Sequence, residues 1–149
     1  MTRSATPTPP PPTAVDIRDG GDTVRLSISF RPHTRRVAHL RCITGTLLRE
    51  GGIDQDAVEI AQLLVSEIVT NAVVHGRTDR VRFSISYDRS SDVLIEVDDG
   101  RSVPIEVRNP EADDETGRGI LLVAALARAW GRRGTCTWCT VAAREVRAS

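Results

Sequence analysis

Three polar side chains four residues apart, Glu67, Asn71 and His75, sit inside the apolar run LLVSEIVTNAVVHG at residues 63–76. On a helix they fall within an arc of about 80°. Ile60, Leu64 and Ile68 lie in or beside that arc, so the polar row borders the stripe that should face a core. A carboxylate or amide buried there without a partner would cost several kcal/mol. Two outcomes satisfy the row. Either the helix lies at an edge and leaves these groups half exposed, or a ligand meets them. Glu67 offers a carboxylate and Asn71 an amide oxygen, hard donors of the kind Mg²⁺ prefers. Mg²⁺ keeps several waters and bridges to phosphate oxygens, which suggests a nucleotide. His75, at the end of the row, is placed to hydrogen-bond near the helix terminus or to orient a phosphate.

Two further stretches suit a nucleotide. VDDG at residues 97–100 ends an apolar-alternating run with the carboxylates Asp98 and Asp99 before Gly100. A carboxylate at a strand end can accept a hydrogen bond from an exocyclic amine such as that of adenine. TGRGILLVAAL at residues 116–126 sets Gly117, Arg118 and Gly119 directly before an apolar segment. Glycines let backbone N–H groups approach a phosphate, and a helix N-terminus favours its charge. Each feature is weak alone; their order and spacing make them stronger together.

SEIVTNAVVHG resembles the N box of the GHKL ATPases, the histidine kinase and heat-shock chaperone superfamily. VDDG is similar to that family's first glycine box and GRGILLV to its second. The likeness covers residues 24–142 and is nearest to the bacterial anti-sigma-factor serine kinases. It implies a Bergerat-type ATP site with Asn71 on Mg²⁺, Glu67 as general base reaching the metal through water, and an aspartate at 98 or 99 reading adenine. Gly117 and Gly119 would line a lid over the phosphates. It also implies phosphorylation of an anti-anti-sigma partner, sequestration of a sigma factor by the same surface, and a possible homodimer. A nucleotide-binding interaction module without turnover is the alternative. The family's Asp-x-Gly spacing favours Asp98. Continuing the alternation of Val93, Ile95 and Val97 puts Asp99 on the inner face instead, and strand phase is the criterion we follow. The family's last strand often carries a threonine before an apolar-Trp pair, where this chain has Cys136 or Thr137 in GTCTWC.

These residues need elements to position them. Val24, Leu26, Ile28 and Phe30 alternate as a strand. Val37, Leu40, Ile43 and Leu47 give a helix over residues 33–52 that stops at Gly51-Gly52. A second helix opens at Asp54 as N-cap and runs to His75, closed by Gly76. RVRFSISYD and DVLIEVDD read as an antiparallel strand pair, residues 99–117 as a long polar loop, GRGILLVAALARAWG as a helix, and TCTWCTVAARE as a closing strand. Strands and helices do not alternate strictly. The order therefore predicts an α+β two-layer sandwich, a mixed sheet with helices on one face.

The rest of the chain sets limits. Its 149 residues fit one domain, residues 23–149, behind a disordered tail at 1–22 that holds five of the eight prolines. At 40% hydrophobic but only 3% aromatic, the core must be aliphatic. A formal charge of zero argues against a nucleic-acid or membrane-surface binder. Every one of the 20 basic residues is Arg, which excludes a phosphate-gripping lysine. No segment reads as a membrane span or export signal, and three cysteines fit a cytoplasmic protein with free thiols. Cys136 and Cys139 form a C-x-x-C without a second half, and in a strand they point to opposite faces, so a zinc site is not expected. Arg35, Arg36 and Arg41 suggest a solvated face or a docking surface, and the acidic EADDE at 111–115 a solvated loop or mobile lid.

Overall fold

A computed structural model describes residues 13–20, 23–76, 78–88, 92–100 and 122–143. Six strands form one sheet in the order β1-β2-β3-β4-β6-β5: β1 (Thr13–Asp19), β2 (Thr23–Phe30), β3 (Val81–Asp88), β4 (Val93–Asp98), β5 (Ala129–Arg133) and β6 (Cys136–Val141). Two long helices, α1 (Arg35–Glu50) and α2 (Gln55–His75), cross one face. This is the expected α+β sandwich, with one correction. Among the described strands every pairing is antiparallel, where a mixed sheet was expected. The reason is topological: β2 returns to β3 through an antiparallel helix pair, and the remaining neighbours meet as antiparallel pairs, so no parallel crossover is left among them.

Alternation decides which face is buried. Leu26, Ile28 and Phe30 of β2, Val81, Phe83 and Ile85 of β3, and Val93, Ile95 and Val97 of β4 all point into the core. The period-2 pattern of these strands thus buries one face and leaves Arg25, Glu96 and Asp98 on the other. On that outer face Ser84 donates to Glu96 at 3.4 Å, and Arg25 lies 3.7 Å from the same carboxylate.

α2 supplies the opposite wall through Val58, Ala61, Leu64, Val65, Ile68, Val69 and Ala72. By length and composition alone it is long and apolar enough to cross a membrane, although no unbroken apolar run in the sequence marks it as a span. Here its buried stripe faces the sheet. On α1 the buried positions are Leu40, Thr44, Gly45 and Leu48, with Val37 and Leu47 packed at the margin, while Ile43 is exposed. The inner face is thus rotated from the expected one. Gly45 explains the close fit: a side chain there would meet Gln62, whose amide donates to the Arg41 carbonyl at 3.1 Å.

Two expectations at the edges are corrected. The tail does not extend to residue 22, because residues 13–19 form β1 and pair with β2 from Thr13↔Phe30 to Asp19↔Val24. β2 would otherwise leave a row of unpaired backbone groups, and this segment covers it. The helix expected to run to Gly131 is also shorter. Among the described residues helix covers 122–126 and goes no further, and residues 129–133 are β5, hairpinned to β6 through Gly134 at φ +61°.

Candidate functional site

α2 carries the polar row along the border of its buried stripe. Leu64, Ile68 and Ala72 are buried, while Glu67, Asn71 and His75 in the adjacent row are half-buried. The row therefore lies beside the core-facing stripe, at the rim between helix and solvent. Within it Asn71 stands out: its Nδ2 is buried and has no hydrogen-bond partner among the described residues. Folded chains pair the great majority of such atoms.

Gly76 ties this row to the sheet. It follows His75 with φ −64° and ψ 154°, an extended conformation any residue adopts, so it is not the left-handed helix terminator the sequence suggests. Its role is close approach. A Cβ there would collide with the Ala72 carbonyl oxygen and lie 3.0 Å from the Asp99 carbonyl oxygen. The end of α2 thus rests on the backbone at the end of β4. Gly100, at φ +69°, does need the left-handed region, and a Cβ on it would also meet Thr78 at 2.6 Å. Two glycines therefore bring the end of α2 and the loop after it against Asp99-Gly100.

The two aspartates are separated cleanly. Asp99 lies on the inner side and is 5% exposed; its N–H donates to the Thr135 carbonyl at 3.1 Å. Asp98 is half-buried on the outer face and accepts from the Gly100 N–H at 3.1 Å. On β6, Thr137 is buried while Cys136 faces outward, so Thr137 is the inner partner of the two that sequence left open. Gly117, Arg118, Gly119 and the acidic 111–115 segment lie outside the described residues.

One residue was missed by sequence reasoning. Arg132 of β5 donates to both carboxylate oxygens of Asp99, Nη2 to Oδ1 at 2.8 Å and Nη1 to Oδ2 at 3.3 Å. The same Nη1 donates to the Thr137 hydroxyl at 2.7 Å. Both side chains of the pair are deeply buried, at 7% and 8% exposure. Arg132 falls just past the expected helix and in no expected element; once β5 is a strand opposite β6, the register Arg132↔Thr137 sets it over the inner side. Gly131 and Gly134, flanking Arg132-Arg133, were the available signal, since glycines bounding a short run mark hairpins.

Cys139 is buried and its thiol is pushed up to about 12 by desolvation. Cys136 is raised first by burial and then by the nearby carboxylates of Glu96 and Asp98. Buried thiols of this kind are poor nucleophiles. Among the described residues no group of three or more His, Cys, Asp or Glu gathers to hold a metal by itself. A divalent cation here would need ligand oxygens as well as protein ones, which is how Mg²⁺ is held beside phosphates. Asn71 and Glu67 fit that demand in donor chemistry: each carries a side-chain oxygen, and the two stand one helical turn apart on α2.

Residues 30–142 match the family model for the histidine kinase-like ATPase domain, from the end of β2 to just past β6. The chain belongs to that family, a class of ATP-binding domains. No curated protein matches it.

Proposed function

We propose that this chain is a serine/threonine-protein kinase of the anti-sigma type, transferring the γ-phosphate of ATP to a hydroxyl on an anti-anti-sigma protein. The observation that supports it is the half-buried Glu67–Asn71 row whose helix end is seated on Asp99 through Gly76. That arrangement brings the two oxygen-bearing side chains of α2 and the backbone of Asp99 to the same end of the fold. Asp99 would accept from the exocyclic amine of adenine. Asn71 would hold Mg²⁺ through its amide oxygen, with Glu67 reaching the ion through water. His75 would orient a phosphate near the helix end, and Gly117, Arg118, Gly119 and Gly100 would frame the nucleotide.

Mg²⁺, when bound, supplies charge neutralisation along the phosphates. Glu67 accepts the proton of the incoming hydroxyl as its oxygen bonds to the γ-phosphorus and ADP departs, and later releases that proton to solvent. The hydroxyl arrives only with a docked partner, so the chemistry would be gated by protein association. A sigma factor held on the same surface, a paired kinase, and a cytoplasmic setting without contact to nucleic acid or membrane complete the proposal.

Phosphotransfer from labelled ATP to a candidate anti-anti-sigma partner tests it, with Glu67→Gln as the informative variant. We expect that variant to keep ATP affinity and lose transfer by roughly 10²-fold or more, the usual contribution of a general base. Transfer at the wild-type rate would remove Glu67 from the chemistry. A wild type that binds ATP but transfers nothing to any partner would make the domain a nucleotide-dependent interaction module.

A further inference from the structure

We propose that the groove at the N-terminal end of α2 binds a small amphiphilic cation, an aromatic or short alkyl group carrying one ammonium. Three elements meet there: the first turns of α2, the end of the 122–126 helix with the turn after it, and the end of β6. The groove has a volume of about 250 Å³ and is lined by Asp56, Ala57 and Ile60 of α2, by Leu126 and Arg128, and by Val141 and Ala142. Its floor is apolar. Ala57 and Val141 are 5% and 2% exposed, and Ile60 and Leu126 pack against the core. An apolar cavity of about 150 Å³ accommodates benzene, so the space here suits a ring with a short chain. The groove is separate from the row of Glu67, Asn71 and His75. Asn71 stands four turns of α2 beyond Asp56, about 22 Å along the helix axis, and nothing about the groove depends on a nucleotide.

The charges around the groove select the sign of the ligand. Arg128 is already engaged: its Nη1 donates to Asp92 Oδ1 at 3.1 Å, so that pair brings no net charge. The carboxylate of Asp56 is exposed and meets no hydrogen-bond or ion-pair partner among the described residues. α2 adds Glu59 about one turn further on and carries no Arg or Lys along its whole length. The positive end of the helix dipole, equivalent to about half a charge, offsets Asp56 only in part. An apolar floor thus lies beside a net negative edge. An ammonium at that edge would pair with Asp56 while its ring covers Ala57, Ile60 and Leu126. A carboxylate of the same shape would meet Asp56 as a like charge and be refused.

Amide NMR titrations of the isotope-labelled full chain test this, with phenethylammonium as the probe, phenylethanol as its neutral counterpart and phenylpropionate as its anionic one. The ammonium should shift the signals of Asp56, Ala57, Ile60 and Ala142 saturably, with a Kd on the order of 1 mM for a fragment of this size. Phenylethanol should bind about three- to fivefold more weakly, the scale of an exposed ion pair, and phenylpropionate more weakly still. Asp56→Asn should bring the ammonium down to the affinity of the alcohol and leave the alcohol as it was. Ala142→Leu fills the groove from an exposed position, which keeps the core intact, and should abolish binding of all three probes; it supplies the answer should Asp56→Asn fail to fold. Equal affinity of the three probes in the wild type would overturn the selection for a cation. Ammonium shifts confined to other residues, or undiminished in Ala142→Leu, would overturn the site.

Discussion

Replacing Gly76 by alanine should destabilise the fold at the point where α2 meets Asp99. The backbone at Gly76, φ −64° and ψ 154°, suits alanine, so conformational strain contributes nothing. Restricting the unfolded chain would even stabilise by about 0.4–1 kcal/mol. Against that stands the methyl group. It would collide with the Ala72 carbonyl oxygen and sit 3.0 Å from the Asp99 carbonyl oxygen. Both obstacles are backbone and cannot rotate aside, so either the last turn of α2 or the end of β4 must shift. Overpacking of this kind costs typically about 1–3 kcal/mol, which leaves a net loss on the order of 1–2 kcal/mol. For a domain of this size that lowers the melting temperature by roughly 5 °C. Gly52→Ala is the matched control. Gly52 has φ +76° and nothing within 4 Å of the new methyl, so its cost is the left-handed conformation alone, about 1–2 kcal/mol. The two variants thus lose similar stability for different reasons, and only Gly76→Ala should also weaken ATP, by moving Asp99. Circular-dichroism melts with ATP titrations of both variants check this. A Gly76→Ala protein with wild-type melting and wild-type ATP affinity would refute the close approach of α2 to Asp99.

Asn71→Ala should leave the thermal stability of the nucleotide-free protein unchanged or raised, because it deletes a buried Nδ2 that has no partner. The same change should weaken Mg²⁺-ATP at least about tenfold by calorimetry, or roughly 1.4 kcal/mol; equal affinity would remove Asn71 from the site. Asp99→Asn should lower ATP affinity and shrink the preference for ATP over GTP, whereas Asp98→Asn, on the outer face, should do little. The reverse pattern in nucleotide titrations would place Asp98 at the base. For Cys139 the sign follows from a folded thiol pushed up to about 12 against an ordinary value of 9.0. Between those values the unfolded chain loses its proton and the folded one keeps it, so stability falls as pH rises from about 9 towards 12, by up to about 1.4 kcal/mol per pH unit. Urea unfolding across that range should show the slope, and Cys139→Ala should reduce it, with Cys136, also raised, keeping a remainder of the same sign.

Much of this protein was legible in its residues because the periods were strong. The apolar repeat of α2 and its bounds at Asp54 and Gly76 stand as expected, and so do the alternations of β2, β3 and β4, since each pattern buries one face whatever its neighbours are. The row of Glu67, Asn71 and His75 followed from helical geometry alone. Strand phase also placed Asp99 inside against the competing motif spacing, because side chains alternate regardless of what lies beyond the strand end. Tertiary structure decided the rest. ILLVAALARAW is apolar enough to pass as helix throughout, and only the pairing of residues 129–133 with β6 makes its end a strand. β1 lies beside a Pro-rich run and forms because the edge of β2 offers it backbone partners. Gly76 looked like a helix stop and is a contact surface, a fact set by where β4 ends. The Asp99–Arg132–Thr137 cluster joins two residues 33 positions apart through a hairpin that local pattern did not reveal. Local sequence encodes which way a side chain points; which charge it meets depends on the strand that folding sets beside it.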